Sequence, residues 1–502
     1  MRQGIACWLA LSVLALATPT QAEPKKDKGP ELPRLGLDPA EPQVRSAPPA
    51  IPFGIPPATS KEYVFDFHGY MLLPLRMGIA ERENPAEGQA KTVLHTPPLI
   101  PQNYRRFEYT AVVPDPWVQL NFTYGNSVVA GTVILAATTA SEADAVYDPV
   151  QQLGVSSAYL TFNLTEPIGT YFQGRVGALS NRYGAMGAFD SGRYATPLIA
   201  RVNSIGETIT AGFDFGKNML VLEQGIGGQL GRRPAGLVTS GWNDFADPNT
   251  GASFVAHFHA GLALGDIVQL GAHYINAFSQ DDQNLDTTLA NGRISVLGGD
   301  ARLTAGRWGH LYLGAARTDA ANSQVVSGII EILNARGGPG IISEYLGPNS
   351  NGDGSLMTFG AQYDMSLSRM VFDEEYEGKN TDVLFSLFGI GTSITSEDPN
   401  HDGDLKLKLG AEGTYNLTSW FGVNGRVDHV RLDSEFNANS FNILTGRVLF
   451  HTDWLSRDEF ALQYSYFAYG DAVNVAKGYP PVEDPSLTPD NHVLAMSATF
   501  WW

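Results

Sequence analysis

Sulfur chemistry is almost absent from this chain: of 502 residues a single one is cysteine, Cys7, close to the start. Disulfides and thiolate metal sites are thereby excluded. Long apolar runs are missing as well. A helix needs about 20 consecutive apolar residues to cross a bilayer, and no stretch comes near that length, which excludes helical membrane spans. Base is scarce: 33 Lys and Arg stand against 52 Asp and Glu, a formal net charge of −19. That balance argues against nucleic-acid partners and against a basic membrane-surface protein. Catalytic patterns are wanting too. With no glycine-rich phosphate loop, nucleophile elbow or paired-carboxylate motif, the chain reads as a non-enzyme.

What is present begins with a leader. Residues 1–22, MRQGIACWLALSVLALATPTQA, place Arg2 ahead of an apolar run over 5–17, with small residues at Thr20 and Ala22. This is the pattern of a secretory signal peptide cleaved after Ala22. Residues 23–60 contain ten prolines, a density that no helix or sheet ladder tolerates. They read as an extended, solvated periplasmic tether. Residues 61–502 then form one unit.

Within that unit a single pattern repeats. In LKLKLGAEGTY, Leu405, Leu407, Leu409, Ala411, Gly413 and Tyr415 fall on one face. Lys406, Lys408, Gly410, Glu412 and Thr414 fall on the other. A period of two marks a strand with unlike faces. Trp117–Tyr124 and Phe460–Tyr469 alternate in the same way, and about 18 such segments run from 63–71 to 491–502. Tight turns at Asn126, Glu166-Pro167, Gly216-Lys217, Gly265-Asp266, Gly306-Arg307 and Thr418-Ser419 alternate with long connections such as 72–114, 180–204 and 319–354. Two links break the rhythm: 367–381 is long where a short turn is due, and 433–439 is short where a loop is due. Strands of about 10 residues joined alternately by short and long links are what an outer-membrane barrel produces. The expected fold is all-β: a transmembrane antiparallel up-and-down β-barrel of about 18 strands, with 16 the nearest alternative, short periplasmic turns and long outer loops. A soluble sandwich or propeller shares the alternation but not the turn rhythm.

Two stretches resemble known families. At the end of the chain Leu494, Met496, Ala498, Phe500 and Trp502 alternate with Val493, Ala495, Ser497, Thr499 and Trp501. This resembles the C-terminal β-signal of bacterial outer-membrane proteins, which the barrel-assembly machinery reads and which more often ends in Phe. The run Asp66-Phe67-His68-Gly69-Tyr70 resembles the first strand of maltoporin-type sugar porins. In that family the aromatic matching Tyr70 lines the lumen, and an arginine two residues on binds sugar; Leu72 stands there instead. These resemblances imply a bacterial outer-membrane porin in a Gram-negative cell, a passive diffusion channel for small hydrophilic solutes. They imply contacts with outer-membrane lipid and lipopolysaccharide, and a homotrimer. A sugar-selective pore, and a barrel serving as surface receptor or adhesin, are the alternatives.

If the polar faces point inward, Arg175, Arg302, Arg426, Arg447, Lys406 and Lys408 confront Asp300, Glu412 and Asp428 across the lumen. Opposed charges of both signs set up a transverse field that screens solutes; for any single residue, pairing for stability is the competing account. By resemblance to trimeric porins, the connection over 180–204, with Arg182, Asp190, Arg193 and Arg201, folds inward as a constriction. Asp398, Asn400, Asp402 and Asp404 match the start of an EF-hand loop, with Leu409 where its closing acid belongs. Calcium in this outer loop is the only cofactor the sequence suggests. His257 and His259 share a strand face, and alternation places His273 opposite His257, as plain lumen histidines or as metal ligands. Val325, Ile329, Ile332 and Leu333 fall at helical spacing, which predicts a short helix over 322–337 in an outer loop.

Overall fold

In a computed structural model the described residues are 62–78, 117–141, 149–164, 171–184, 199–230, 252–280, 292–323, 326, 330–333, 339–340, 342, 346–372, 381–418, 420–431, 440–451, 459–469 and 491–501. The leader, the proline-rich tether and Trp502 lie outside them.

The first strands are β1 (Val64–Gly78), β2 (Trp117–Gly125), β3 (Val129–Ser141), β4 (Pro149–Leu164), β5 (Tyr171–Tyr183) and β6 (Ala200–Asp214). They continue as β7 (Asn218–Leu230), β8 (Ala252–Leu264), β9 (Val268–Gln280), β10 (Arg293–Thr304) and β11 (His310–Ala321). Two short strands follow, β12 (Ile330–Leu333) and β13 (Pro339–Gly340). The remainder are β14 (Gly354–Ser366), β15 (Val383–Ser396), β16 (Leu405–Asn416), β17 (Phe421–Arg431), β18 (Ser440–Phe450), β19 (Glu459–Tyr469) and β20 (Asn491–Trp501).

All but β12 and β13 build the wall. Each wall strand pairs antiparallel with the next, β11 passing directly to β14, and the ladder returns to its start. β1 pairs with β2 over Val64–Leu72 and with β20 over Tyr70–Gly78. Every one of the 18 wall strands therefore has a neighbour on both sides along at least part of its length, so no strand of the wall stands as a whole edge. The count and the direction of each strand agree with the periodicity of the sequence.

The tight turns sit together at one end of the wall. Gly216, Gly265 and Gly306 take φ of 85°, 55° and 55° there, the left-handed backbone that glycine adopts without strain. The link after β14, too long in the sequence for a tight turn, contains helix α1 (Leu367–Val371). Its Ser366 side chain caps the Arg369 N–H, and Asp382 takes both the Ser366 hydroxyl and the Ser368 N–H.

The two faces of the wall are partitioned in reverse of a soluble protein. On β17, Asn424, Arg426 and Asp428 are buried, whereas Val423 and Val427 are exposed. Large exposed apolar side chains occur on all 18 wall strands, among them Phe67 on β1, Tyr274 on β9 and Leu444 on β18. Leaving such a side chain in water forfeits about 1.5–3 kcal/mol relative to burying it. A wall with this face around its whole circumference demands an apolar surrounding, and its polar face must line the inside.

Candidate lumen site

Among the described residues two arcs of the inner face bear the buried apolar cluster and the buried charges. Along the first, from β5 to β15, the end of the wall bearing the long connections is apolar. Wall residues Val202, Val255, Ile275, Ile294, Val296, Leu356 and Ile394 form one cluster with Val326, Ile330, Ile342 and Leu346 of the β11–β14 connection. Each of these is at most 2% exposed. The connection is held by β12, which pairs antiparallel with β6 through Ile330↔Val202 and Ile332↔Ala200. The cause lies in the wall: β6 pairs with β7 only from Ile205 onward, although β7 continues along β8 to Leu230. One edge of Ala200–Val202 is thus left for β12. This corrects the helix expected over 322–337, because Ile330–Leu333 is a strand. An open edge offering backbone partners outweighs a helical spacing of apolar residues.

The connection between β5 and β6 contributes its last residue. Ile199 is buried in the same cluster and reaches β10, where a Cβ on Gly298 would stand 2.9 Å from Ile199 Cδ1. Asp190 and Arg193 lie outside the described residues. Arg182 and Arg201 are not loop residues: β5 runs to Tyr183 and β6 begins at Ala200, and the two arginines stand directly opposite each other in that ladder. Arg201 shares its strand face with the exposed Ile205, the outer side of the wall. Backbone pairing extended both strands beyond the ends that side-chain alternation marked.

Beneath the apolar cluster the same arc carries a buried polar network. The Tyr183 hydroxyl donates to Glu223 Oε1 at 3.0 Å and lies 2.5 Å from His257 Nδ1. A hydroxyl has one proton, so His257 Nδ1 carries the hydrogen of that second bond. Thr210 donates to Glu223 Oε2 at 3.0 Å, and Arg175 lies 3.6 Å from the same oxygen. Arg175 also donates to Asn181 at 2.9 Å, and Asn181 to Thr208 at 3.1 Å. His273 bonds Asp300 through Nε2, and its ring stacks on His259 with centroids 4.5 Å apart. Arg302 lies over the Tyr312 ring. The register sets His273 opposite His259, while Ile275 faces His257, so the expected His257–His273 juxtaposition is off by one inward position. Among the described residues no group of three or more His, Cys, Asp or Glu is disposed to hold a metal ion.

The second arc, β15 to β18, is charged. Arg426 donates to both oxygens of Asp428, at 2.7 and 2.5 Å, and lies 3.4 Å from Glu412. Its guanidinium stands 4.2 Å above the Phe388 ring. Asn424 closes the group by donating to Glu412 and Thr414, both at 2.7 Å. Toward the long-loop end Lys408 is fully buried, and Lys406 lies 3.7 Å from Asp404. Arg447 occupies the inner parity of β18, opposite Asn424 and Gln463. Tyr70 on β1 stands between Gln119 and Trp501 in register. Leu494, Met496 and Phe500 are exposed on the outer side of β20, with Ala498 half-buried among them.

The turn after β15 is built on Asp398. Its carboxylate accepts Asn400 N–H at 3.0 Å, the Asn400 amide at 3.1 Å and Asn349 N–H at 3.2 Å. These donors hold its pKa below the usual aspartate value. Asp402 accepts Ser396 N–H at 3.0 Å, and Asp404 lies 3.7 Å from His401. The four residues singled out by the EF-hand spacing thus take part in the turn's own bonds.

The charged inner positions were legible from alternation; the apolar cluster was not. Its signal is present in hindsight: Val255, Ile275 and Val296 share the faces of His257, His273 and Asp300, always toward the long-loop end.

No protein-family model and no curated protein matches the chain. Among solved structures it is similar to OccK10 (OpdN) of Pseudomonas aeruginosa, at 9% identity over 87% of this chain and 98% of that one, TM-score 0.38. It is similar to OpdK of the same organism, solved with vanillate, at 10% identity over 88% and 99%, TM-score 0.41. It is also similar to OccAB2 of Acinetobacter baumannii, at 10% identity over 87% and 98%, TM-score 0.37. At such TM-scores no residue role is carried across.

Proposed function

We propose that the chain is an outer-membrane porin, a passive channel for small hydrophilic solutes. One observation carries the reading: a ring of 18 paired strands, each with large apolar side chains exposed on its outer face, whose inner face bears charge of both signs. Such a wall is stable only in lipid, and charge of both signs along the inner face favours solutes that are polar without being strictly of one sign. The membrane is the outer one because strands, not helices, do the crossing and an export leader precedes them. Outer-membrane lipid and lipopolysaccharide are then its surroundings, and the alternating end of β20 is what the assembly machinery would engage. The test is single-channel recording in planar bilayers. Discrete ohmic steps support the channel, stepwise blockade by added sugar assigns it to the sugar-selective branch, and a folded barrel that passes no current overturns it in favour of a receptor or adhesin.

A further inference from the structure

The inner-rim link between β14 and β15 stands apart from its neighbours. Where the links after β2, β6, β8 and β10 are tight turns, this one carries α1, and α1 is two-sided. Arg369 is buried, donating from Nε to the Gly306 carbonyl at 3.1 Å and lying 3.0 Å, through Nη1, from His310 Nε2. Those partners belong to the β10–β11 turn and the start of β11, so the helix is clamped to the wall beside it. Its other side is apolar and open: Leu367 is 43%, Val371 60% and Phe372 74% exposed.

The open side continues an existing surface. Leu367 follows the outward parity of β14, two residues beyond Met365, and a spacing of four brings Val371 over it on the same side of the helix. Neighbouring rim turns each present a large exposed apolar tip as well: Trp308 after β10, Ile267 after β8 and Phe215 after β6. A partner protein would cover one sector of the rim. Tips repeated from turn to turn, continuous with an apolar wall, match a medium that encircles the barrel.

We propose that α1 is a membrane foot: an interfacial helix that lays Leu367, Val371 and Phe372 into the inner-leaflet phospholipid surface while Arg369 ties it to the wall. The inference rests on the membrane location proposed above and adds the partner for this surface. The rim turns then sit within the lipid interface instead of projecting from it, and α1 fixes how deep the barrel rides.

The test uses nitroxide labels on single cysteines, which the sequence makes simple because a Cys7→Ser background has no other thiol. The full chain is placed in vesicles of phosphatidylethanolamine and phosphatidylglycerol. Labels go on Phe372→Cys and Val371→Cys, on Leu444→Cys in the middle of the wall, and on Pro399→Cys in the exposed turn after β15. Accessibility to oxygen relative to a water-soluble nickel chelate is read by power saturation. The expected result is a ratio at 371 and 372 several-fold above that at 399 and approaching that at 444. A ratio at 372 equal to that at 399, with 444 still oxygen-favoured, overturns the foot and leaves the barrel in its membrane. A label at 372 shielded from both reagents means protein contact and overturns the foot too. If 444 itself reads as aqueous, the membrane location fails first.

Discussion

Ile330 on β12 stands directly opposite Val202 on β6, so a connection that leaves the wall at β11 is fastened across the inner faces of the strands between. The bridge joins a wall strand that runs past the end of its pairing with β7 to the short β12–β13 pair of the β11–β14 connection. It makes the lumen narrower at one end than the wall strands alone would.

The first prediction concerns that fastening. Ile330 is 1% exposed, and removing such a side chain to alanine costs about 2–5 kcal/mol of local packing. Ile330→Ala is expected to speed hydrogen exchange over 330–333 and to raise single-channel conductance. Unchanged exchange together with unchanged conductance would show that β12 does not constrict the path.

Arg426 is the second. It is the buried cation between Asp428 and Glu412, and replacing it leaves two carboxylates without their partner. Breaking a buried pair on one side costs about 3–5 kcal/mol. Arg426→Met should therefore lower the temperature at which the barrel loses its heat-sensitive mobility in detergent gels. The reversal potential in a salt gradient should shift toward cation preference, because the inner wall loses one positive charge. A shift toward anions would contradict the inward placement.

A third prediction follows from the Asp398 turn, which lies beyond the wall strands. The folded pKa is depressed by the donors on its carboxylate, foremost the Asn400 N–H. A depressed pKa stabilises the folded turn above the unfolded aspartate value of about 3.9, and that contribution disappears as pH falls through the lower folded value. Exchange protection across 346–353 and 397–404 should hold from neutral pH to about pH 4 and fail only below it. Asp398→Asn should remove this acid-dependent step, and its persistence in the variant would assign the step to another group.

The closing strand supplies the fourth. Phe500 faces outward, 40% exposed, directly opposite Met71 of β1. Phe500→Ala, and separately deletion of Trp502, should reduce the amount of folded barrel recovered in outer-membrane fractions while leaving total synthesis unchanged. Full recovery of both would remove the assembly role given to this end.

The sequence made the wall legible because a period of two is imposed on every strand by its two unlike surroundings. Val423, Val427 and Leu409 against Arg426, Asp428 and Lys408 is that imposition read residue by residue. What escaped it depends on pairing partners distant in the chain. Ile332 and Leu333 sit in a spacing that suits a helix, and pairing with Ala200 on β6 and with Pro339–Gly340 on β13 makes them a strand. Histidine register escaped for a related reason: the turn Gly265–Ile267 sets which imidazole His273 meets, and one inward step separates His257 from His259. Resemblance to trimeric porins placed Arg201 in an inward loop, whereas the strand it belongs to carries it to the outer side.

Strand length has a consequence for where a solute first meets resistance. β6 has 15 residues, which at about 3.3 Å each span roughly 50 Å. Leaning at about 45°, such a strand still rises some 35 Å, against an apolar band of about 25 Å. Roughly 10 Å of wall must therefore stand clear of the lipid as a collar. The short turns mark the inner rim, so the collar belongs to the end where Ala200–Val202 receives β12. The bridge that β12 makes is then a porch, met before the membrane is entered, and it can be remodelled apart from the band that meets lipid.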